Sequence, residues 1–231
     1  VCYRQKGAAL QPVPEKRNLY DGDLLSVLRV VRMNAYDFDN TIYRGESILD
    51  LFFFYLKKNP SLVRYLPMML TGLVKYKLRM ISIEQLLEAY SRFAEQFFFG
   101  LESFQDDMVE FWDQHMHKIK PFYYAQREDD DLIITASAEI FLRELFTRLD
   151  IKNYIGTEID EQTAKIVFLC FRANKIEAFR KRYPDAVIDN FYTDSLNDKP
   201  LMDLATNVFL VKGNRLKQIK PKTKNSKKPG R

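Results

Sequence analysis

Eight residues, Asn34-Ala35-Tyr36-Asp37-Phe38-Asp39-Asn40-Thr41, restrict what this chain can become more than any other stretch. They set two carboxylates two residues apart, directly after a short apolar run and just ahead of a threonine. With residues 33–38 read as a β-strand, side chains alternate between faces, so Asp37 and Asp39 point the same way. Where the strand gives out, they project into the crevice beyond the carboxyl edge of an open α/β sheet, where such sheets bind ligands. Like charges this close repel, so the pair needs a cation, a shared proton or a phosphate to handle.

The rest of the composition fits a folded body around that strand. A chain of 231 residues with 46% hydrophobic and 14% aromatic content can bury a substantial core, as one domain or as a core with an insertion. Two cysteines, Cys2 and Cys170, make no disulfide framework and suit a reducing compartment; the cytoplasm is the expected location. The net charge of +5 misleads as an average. Residues 212–231 hold nine Lys or Arg and no acid, leaving 27 basic against 31 acidic groups, or −4, elsewhere. The body is mildly acidic and the tail basic, so no nucleic-acid partner is expected. No stretch reaches the roughly 18–20 apolar residues of a membrane span. The first residues lack the basic and apolar regions of a secretion signal. Residues 1–32 read as a leader of uncertain role, poorly packed against the body of the chain.

From residue 47 to 122 the pattern turns helical and aromatic. Residues 48–58 are apolar nearly all round and stop at Asn59-Pro60. Residues 61–80 form a second helical segment, broken near Pro67 or Gly72. Ser82-Ile83-Glu84-Gln85 opens another as a capping box, carrying Leu86, Tyr90, Phe93 and Phe97 at helical spacing to a stop at Gly100. Residues 101–119 repeat the theme. These 75 or so residues carry no strand signal and are expected to be a helical insertion.

Beyond it, short strands at 131–135, 154–159, 165–169, 186–192 and 208–211 alternate with helices at 140–149, 174–183 and 202–205. Such alternation predicts an α/β fold with a Rossmann-like parallel sheet and helices on both faces. The expected organisation is an α/β core from residues 33–46 and 123–212, a helical cap at 47–122 and a disordered basic tail at 213–231.

A parallel sheet gathers strand ends at one edge, so Asp37/Asp39/Thr41, Thr135 and Asp194/Asp198 are predicted to meet there, with Lys175 opening a nearby helix. Three acids, a hydroxyl and a lysine serve stability poorly. They suit a hard cation and a phosphate, because Mg²⁺ takes carboxylates, carbonyls and waters.

On these residues the chain resembles the haloacid dehalogenase superfamily, in its helical-cap branch that includes phosphoserine phosphatase. Asp37-Phe38-Asp39-Asn40-Thr41 is similar to the first motif of that family and Ile133-Ile134-Thr135-Ala136-Ser137 to the second. Lys175 resembles the third and Thr193-Asp194-Ser195-Leu196-Asn197-Asp198 the fourth. The resemblance implies a Mg²⁺-dependent phosphatase in which Asp37 attacks phosphorus and forms an aspartyl-phosphate. Asp39 would protonate the leaving oxygen and later activate water. Mg²⁺ would be held by Asp37, the Asp39 carbonyl and Asp194. Thr135, Ala136, Lys175 and Asn197 would hold phosphoryl oxygens, with Thr41 and Asp198 behind them. Glu46, nine residues after Asp37, falls where phosphoserine phosphatases carry a substrate-binding glutamate. The chain departs from those enzymes in reading Thr135-Ala136-Ser137 where they usually have Ser-Gly-Gly, and in lacking their arginine-bearing cap motif.

The expected substrate is a small phosphorylated metabolite. A rival is a lipid phosphate of the phosphatidylglycerol phosphate type, suggested by surplus apolar residues such as Phe97-Phe98-Phe99. The basic tail 213–231 would then touch anionic membrane. A further alternative is a non-catalytic binding module using that tail. His115 and His117 sit two apart on a predicted helix, off a common face, and are read as surface residues, not zinc ligands.

Overall fold

The computed structural model describes residues 31–78, 80–82, 85–86 and 103–220. The leader reading for residues 1–30 therefore lies outside the described residues, as do 87–102 and 221–231. Strands β1 (Arg32–Tyr36), β2 (Leu132–Ala138), β3 (Asn153–Ile159), β4 (Ile166–Phe168), β5 (Val187–Thr193), β6 (Asn207–Lys212) and β7 (Arg215–Lys220) build one sheet. Its order is β4-β3-β2-β1-β5-β6-β7. The five inner strands run parallel, and β4 and β7 close the edges antiparallel. Chain order reverses at β1, which has β2 on one side and β5 on the other, so a crevice opens at its carboxyl end.

Strand alternation divides the core in two. Met33, Ala35, Leu132, Ile134 and Ile188 turn to one face, under α6 (Ala173–Arg182) and α7 (Lys199–Leu204), whose Phe179 and Leu201 are fully buried. Tyr36, Ile133 and Tyr192 turn to the other, with Leu142, Leu145 and Phe146 of α5 (Glu139–Arg148). Cys170 is a buried free thiol in the first of these layers.

Between β1 and β2 the regular elements among the described residues are helical: α1 (Ser47–Lys58), α2 (Leu66–Lys77), α3 (Phe104–His115) and α4 (Pro121–Gln126). Leu51, Phe54, Met108, Phe111 and Trp112 of α1 and α3 belong to the same apolar cluster as Tyr36 and Ile133 of the sheet. Trp112 stands edge-on to Phe38 and Tyr43, and its indole N–H donates to the Phe141 carbonyl at 2.9 Å. Burying rings such as Phe38 and Phe111 contributes about 2 kcal/mol each. The break expected near Pro67 or Gly72 lies earlier, in a 3₁₀ turn over Pro60–Tyr65; Pro67 sits in the first turn of α2, where a missing N–H costs nothing. The capping box is present: Gln85 N–H donates to Ser82 Oγ at 3.3 Å and Ser82 N–H to Gln85 Oε1 at 2.9 Å. The helix expected to run on from it falls outside the described residues.

Several boundaries differ from the sequence reading: β1 ends at Tyr36, leaving Asp37 and Phe38 beyond it, and β2 runs on to Ala138. Arg32 belongs to β1, held by two hydrogen bonds to Asp189 across the β1–β5 pair. The sequence predicts disorder over 213–231, yet Arg215–Lys220 forms β7. A strand exposed on both faces shows no apolar alternation, so only the Gly213-Asn214 turn betrays it; Gly213 takes φ +61, as such a hairpin requires. Lys220 then reaches back to the Met202 and Asp203 carbonyls at the end of α7.

At the amino edge of the sheet, amides form a ladder across four strands. Asn190 donates to Asn34 at 2.7 Å, Asn207 to Asn190 at 3.0 Å and Gln218 to Asn207 at 3.2 Å. Asn34 in turn donates to Asp131 and Glu128. Polar side chains in register across strands fix the pairing on which the opposite, functional edge depends. No helix among the described residues is long and apolar enough to cross a membrane.

Candidate active site

Asp37 is the first residue after β1, and its N–H still donates to the Tyr192 carbonyl of β5 at 2.9 Å. The backbone there is fixed by the sheet, and the carboxylate emerges at the crevice. Lys175, from the first turn of α6, is 3% exposed and lies 2.8 Å from Asp37 Oδ1 and 2.9 Å from Asp198 Oδ1. Asp198 accepts a second bond from Thr193 Oγ1 at 2.9 Å. Thr41 Oγ1 donates to Asp37 Oδ2 at 3.4 Å and accepts the Asp194 N–H at 2.9 Å, tying the ends of β1 and β5 together.

Asp39 is held separately. It accepts the Ser47 N–H at 2.6 Å, the first N–H of α1, and the Ser137 hydroxyl at 2.5 Å. A carboxylate at a helix N-terminus meets unsatisfied donors and a favourable dipole. Ser137 is aimed there by an irregularity in β2 between Ile134 and Ala138, which also brings its N–H to Thr135 Oγ1 at 3.0 Å.

Asp37, Asp39, Asn40, Glu46, Thr135, Ala136, Phe171, Lys175, Asp194, Ser195, Asn197 and Asp198 line one cavity of about 200 Å³. Every residue singled out from the sequence lines it except Thr41, which stands directly behind Asp37. Sheet topology joins the carboxylates, as the strand-end argument requires. Ser47, Ser137 and Lys120 are the residues that sequence reasoning leaves without a role. Ser137 is visible within the second motif, but nothing there says what it does. Ser47 shows only as a helix start. Lys120, 3% exposed, donates to the Asn40 carbonyl inside the turn closed by Asn40 N–H to Gly45 at 3.0 Å, and nothing in its sequence context marks it. That turn needs left-handed backbone at Asn40 (φ 57) and positive φ at Gly45 (103), and it delivers Glu46 to the cavity, where Asn40 Nδ2 donates to its carboxylate at 2.6 Å.

Burial dominates the electrostatics. It pushes the Asp37 carboxyl up to about 7, with Lys175 opposing and Asp198 and Asp39 adding to the rise. Burial also raises Asp39, against the bonds from Ser137 and Ser47. Asp194 and Glu46 rise for the same first reason. Burial works against the Lys175 ammonium, but Asp37 and Asp198 outweigh it and hold it charged. Four carboxyls that resist ionisation around so few cations form a site that a divalent ion would relieve. The donors are all oxygen, which suits Mg²⁺. A second acidic group, Glu128, Asp130 and Asp131, lies at the amino end of β2, at the other edge of the sheet. Its Asp131 is engaged by Asn34 and by the Glu128 N–H, as the end of the amide ladder.

Sheet order and cavity position define a Rossmann-like α/β protein with its ligand site at the carboxyl edge of the central strand. Residues 35–203 match the family model of the haloacid dehalogenase-like hydrolases, and the chain belongs to that family of enzymes. No curated protein matches it in sequence. In fold it is similar to a protein with unknown function from Bordetella pertussis Tohama I (17% identity, covering 78% of this chain and 89% of that chain, TM-score 0.58). It is also similar to a HAD family hydrolase from Salmonella enterica serovar Typhi (12% identity, 76% of this chain and 60% of that chain, TM-score 0.54). A phosphoserine phosphohydrolase-like protein from Francisella tularensis SCHU S4 aligns at 17% identity over 77% of this chain and 86% of that chain, with a TM-score of 0.49.

Proposed function

We propose that the chain is a Mg²⁺-dependent phosphomonoesterase, phosphoserine phosphatase-like, that works through an aspartyl-phosphate. The observation that carries this reading is the Lys175 ammonium set between Asp37 and Asp198, with Asp39 and Asp194 lining the same cavity. A nucleophilic carboxylate must be ionised yet not hydrated, and a buried lysine 2.8 Å away favours the ionised form without water. An Asp37 oxygen attacks phosphorus and the phosphorus–oxygen ester bond breaks. Asp39, whose burial favours the protonated form, gives its proton to the leaving oxygen. In the second half it takes a proton from the water that attacks the aspartyl-phosphate, releasing inorganic phosphate and restoring Asp37.

Asp37, the Asp39 carbonyl and Asp194 are the residues that would hold Mg²⁺, which when bound supplies positive charge against the phosphoryl oxygens. The Thr135 hydroxyl already accepts from Ser137, so its own proton is the part suited to a phosphoryl oxygen. Ala136, Asn197 and Lys175 complete the set of donors. Residues 47–122 act as the cap, with Glu46 at its root reaching substrate. The substrate class is a phosphate monoester of a small metabolite.

The test is hydrolysis of p-nitrophenyl phosphate. Turnover should require Mg²⁺, stop with chelator, and fall by about 10³-fold or more in Asp37→Asn. Absence of Mg²⁺-dependent turnover across a broad phosphomonoester panel would leave the binding-module reading in its place.

A further inference from the structure

We propose that the solvent face of α2 docks on an anionic phospholipid bilayer. Leu70 and Val74 of α2 and Leu78 just past its end, whose N–H still donates to the Val74 carbonyl at 2.9 Å, recur every four residues along one side and are 54%, 54% and 65% exposed. Val63 just before α2 and Met80 just after it are equally open to solvent. Single exposed leucines are ordinary, but a helix normally turns such a stripe inwards. Here the stripe faces out.

Charge indicates what it faces. Residues 51–83 contain six Lys or Arg (Lys57, Lys58, Arg64, Lys75, Lys77 and Arg79) and no Asp or Glu, in a body that is otherwise net acidic; Lys58 is paired with Asp107 and Glu110 of α3 and adds nothing to the patch. Lys57, Arg64 and Lys75 are exposed. Protein–protein interfaces are depleted in lysine at their apolar centre, whereas an interfacial helix pairs an apolar stripe with flanking Lys and Arg against lipid phosphates. An anionic bilayer satisfies both features together. The residues of this surface are not those of the basic tail, and docking does not depend on the phosphatase reading.

The experiment is flotation of the full-length chain with vesicles of phosphatidylglycerol and phosphatidylcholine in equal parts, and with phosphatidylcholine alone. Partition onto the anionic vesicles should exceed the neutral ones by roughly tenfold. The triple variant Leu70→Asn/Val74→Asn/Leu78→Asn should lose roughly tenfold of that partition. Lys75→Glu/Lys77→Glu should lose as much. Thermal unfolding followed by circular dichroism should stay at the wild-type midpoint in both. Failure of the wild-type chain to float overturns the proposal. So does unchanged flotation of the triple variant, which would assign binding to the tail. Sedimentation showing a dimer that the triple variant dissociates, without vesicle binding, would assign the face to a second copy of the chain.

Discussion

A carboxyl as deeply buried as Asp37 must lose its proton before it can serve as nucleophile or ligand, and burial has pushed it up to about 7. Metal binding requires the ionised form, so it releases a proton wherever the carboxyl is still protonated. With Asp37 raised, Mg²⁺ affinity should therefore weaken as pH falls from 8 towards 6, approaching about tenfold per pH unit below 7. Calorimetry in buffers of different ionisation enthalpy measures both the affinity and the released proton. Ser137 acts in the opposite direction on Asp39: its hydroxyl lowers a pKa that burial raises. Ser137→Ala should lower kcat by about ten- to a hundredfold, the range of one hydrogen bond to a charged group. It should also move the alkaline limb of the pH–rate profile upwards, because Asp39 then keeps its proton to higher pH. An unshifted limb would show that Ser137 only fills space. Asp37, Asp39, Asp194 and Lys175 are legible in the sequence because their residue types make sense only together. Ser137 and Lys120 are not, because a serine and a lysine have many other uses and only their neighbours reveal which one applies.

Among the elements, β2 and β3 carry the tightest tolerance. A Cβ on Gly156 of β3 would lie 2.9 Å from the Ser137 carbonyl and 2.8 Å from Cγ of Glu139. Glu139 also accepts the Gly156 N–H at 2.8 Å, so the two segments lock together behind the cavity. Gly156→Ala should destabilise by about 1–3 kcal/mol, read from denaturant unfolding. It should also lower kcat, since relief requires the backbone that aims Ser137 to move; an effect on stability alone would separate the two. The helical elements are legible where caps and breakers mark them. Asn59-Pro60 ends α1 and Ser82/Gln85 form their box. Their packing partners are not: α1 and α3 meet through Phe54 and Phe111, and Trp112 and Phe38 merge that pair with the cluster under the sheet.

At the scale of the whole molecule, the basic stretch after residue 212 divides in two. Arg215–Lys220 covers the edge of β6 and anchors to α7 through Lys220, and its exposed Arg215 and Lys217 guard the new edge against further strand pairing. Truncation after Lys212 should lower the thermal midpoint by at least about 4 °C, whereas truncation after Lys220 should leave it within about 1 °C. Equal midpoints would mean that β7 adds nothing to stability. The sequence by itself determined the kinds of element, the parallel sheet and the identity of the acids, because apolar periodicity, breakers and charge spacing are local properties of a chain. The strand alternation expected to aim Asp37 and Asp39 together does not apply, because β1 ends at Tyr36; the turn that follows brings both to one cavity. Only the tertiary structure decided that Lys175 lies between Asp37 and Asp198, that Ser137 and the first N–H of α1 share Asp39, and that the stripe on α2 faces solvent. Those are distances between residues far apart along the chain, or exposures set by the packing of every neighbouring element, and no local pattern encodes either.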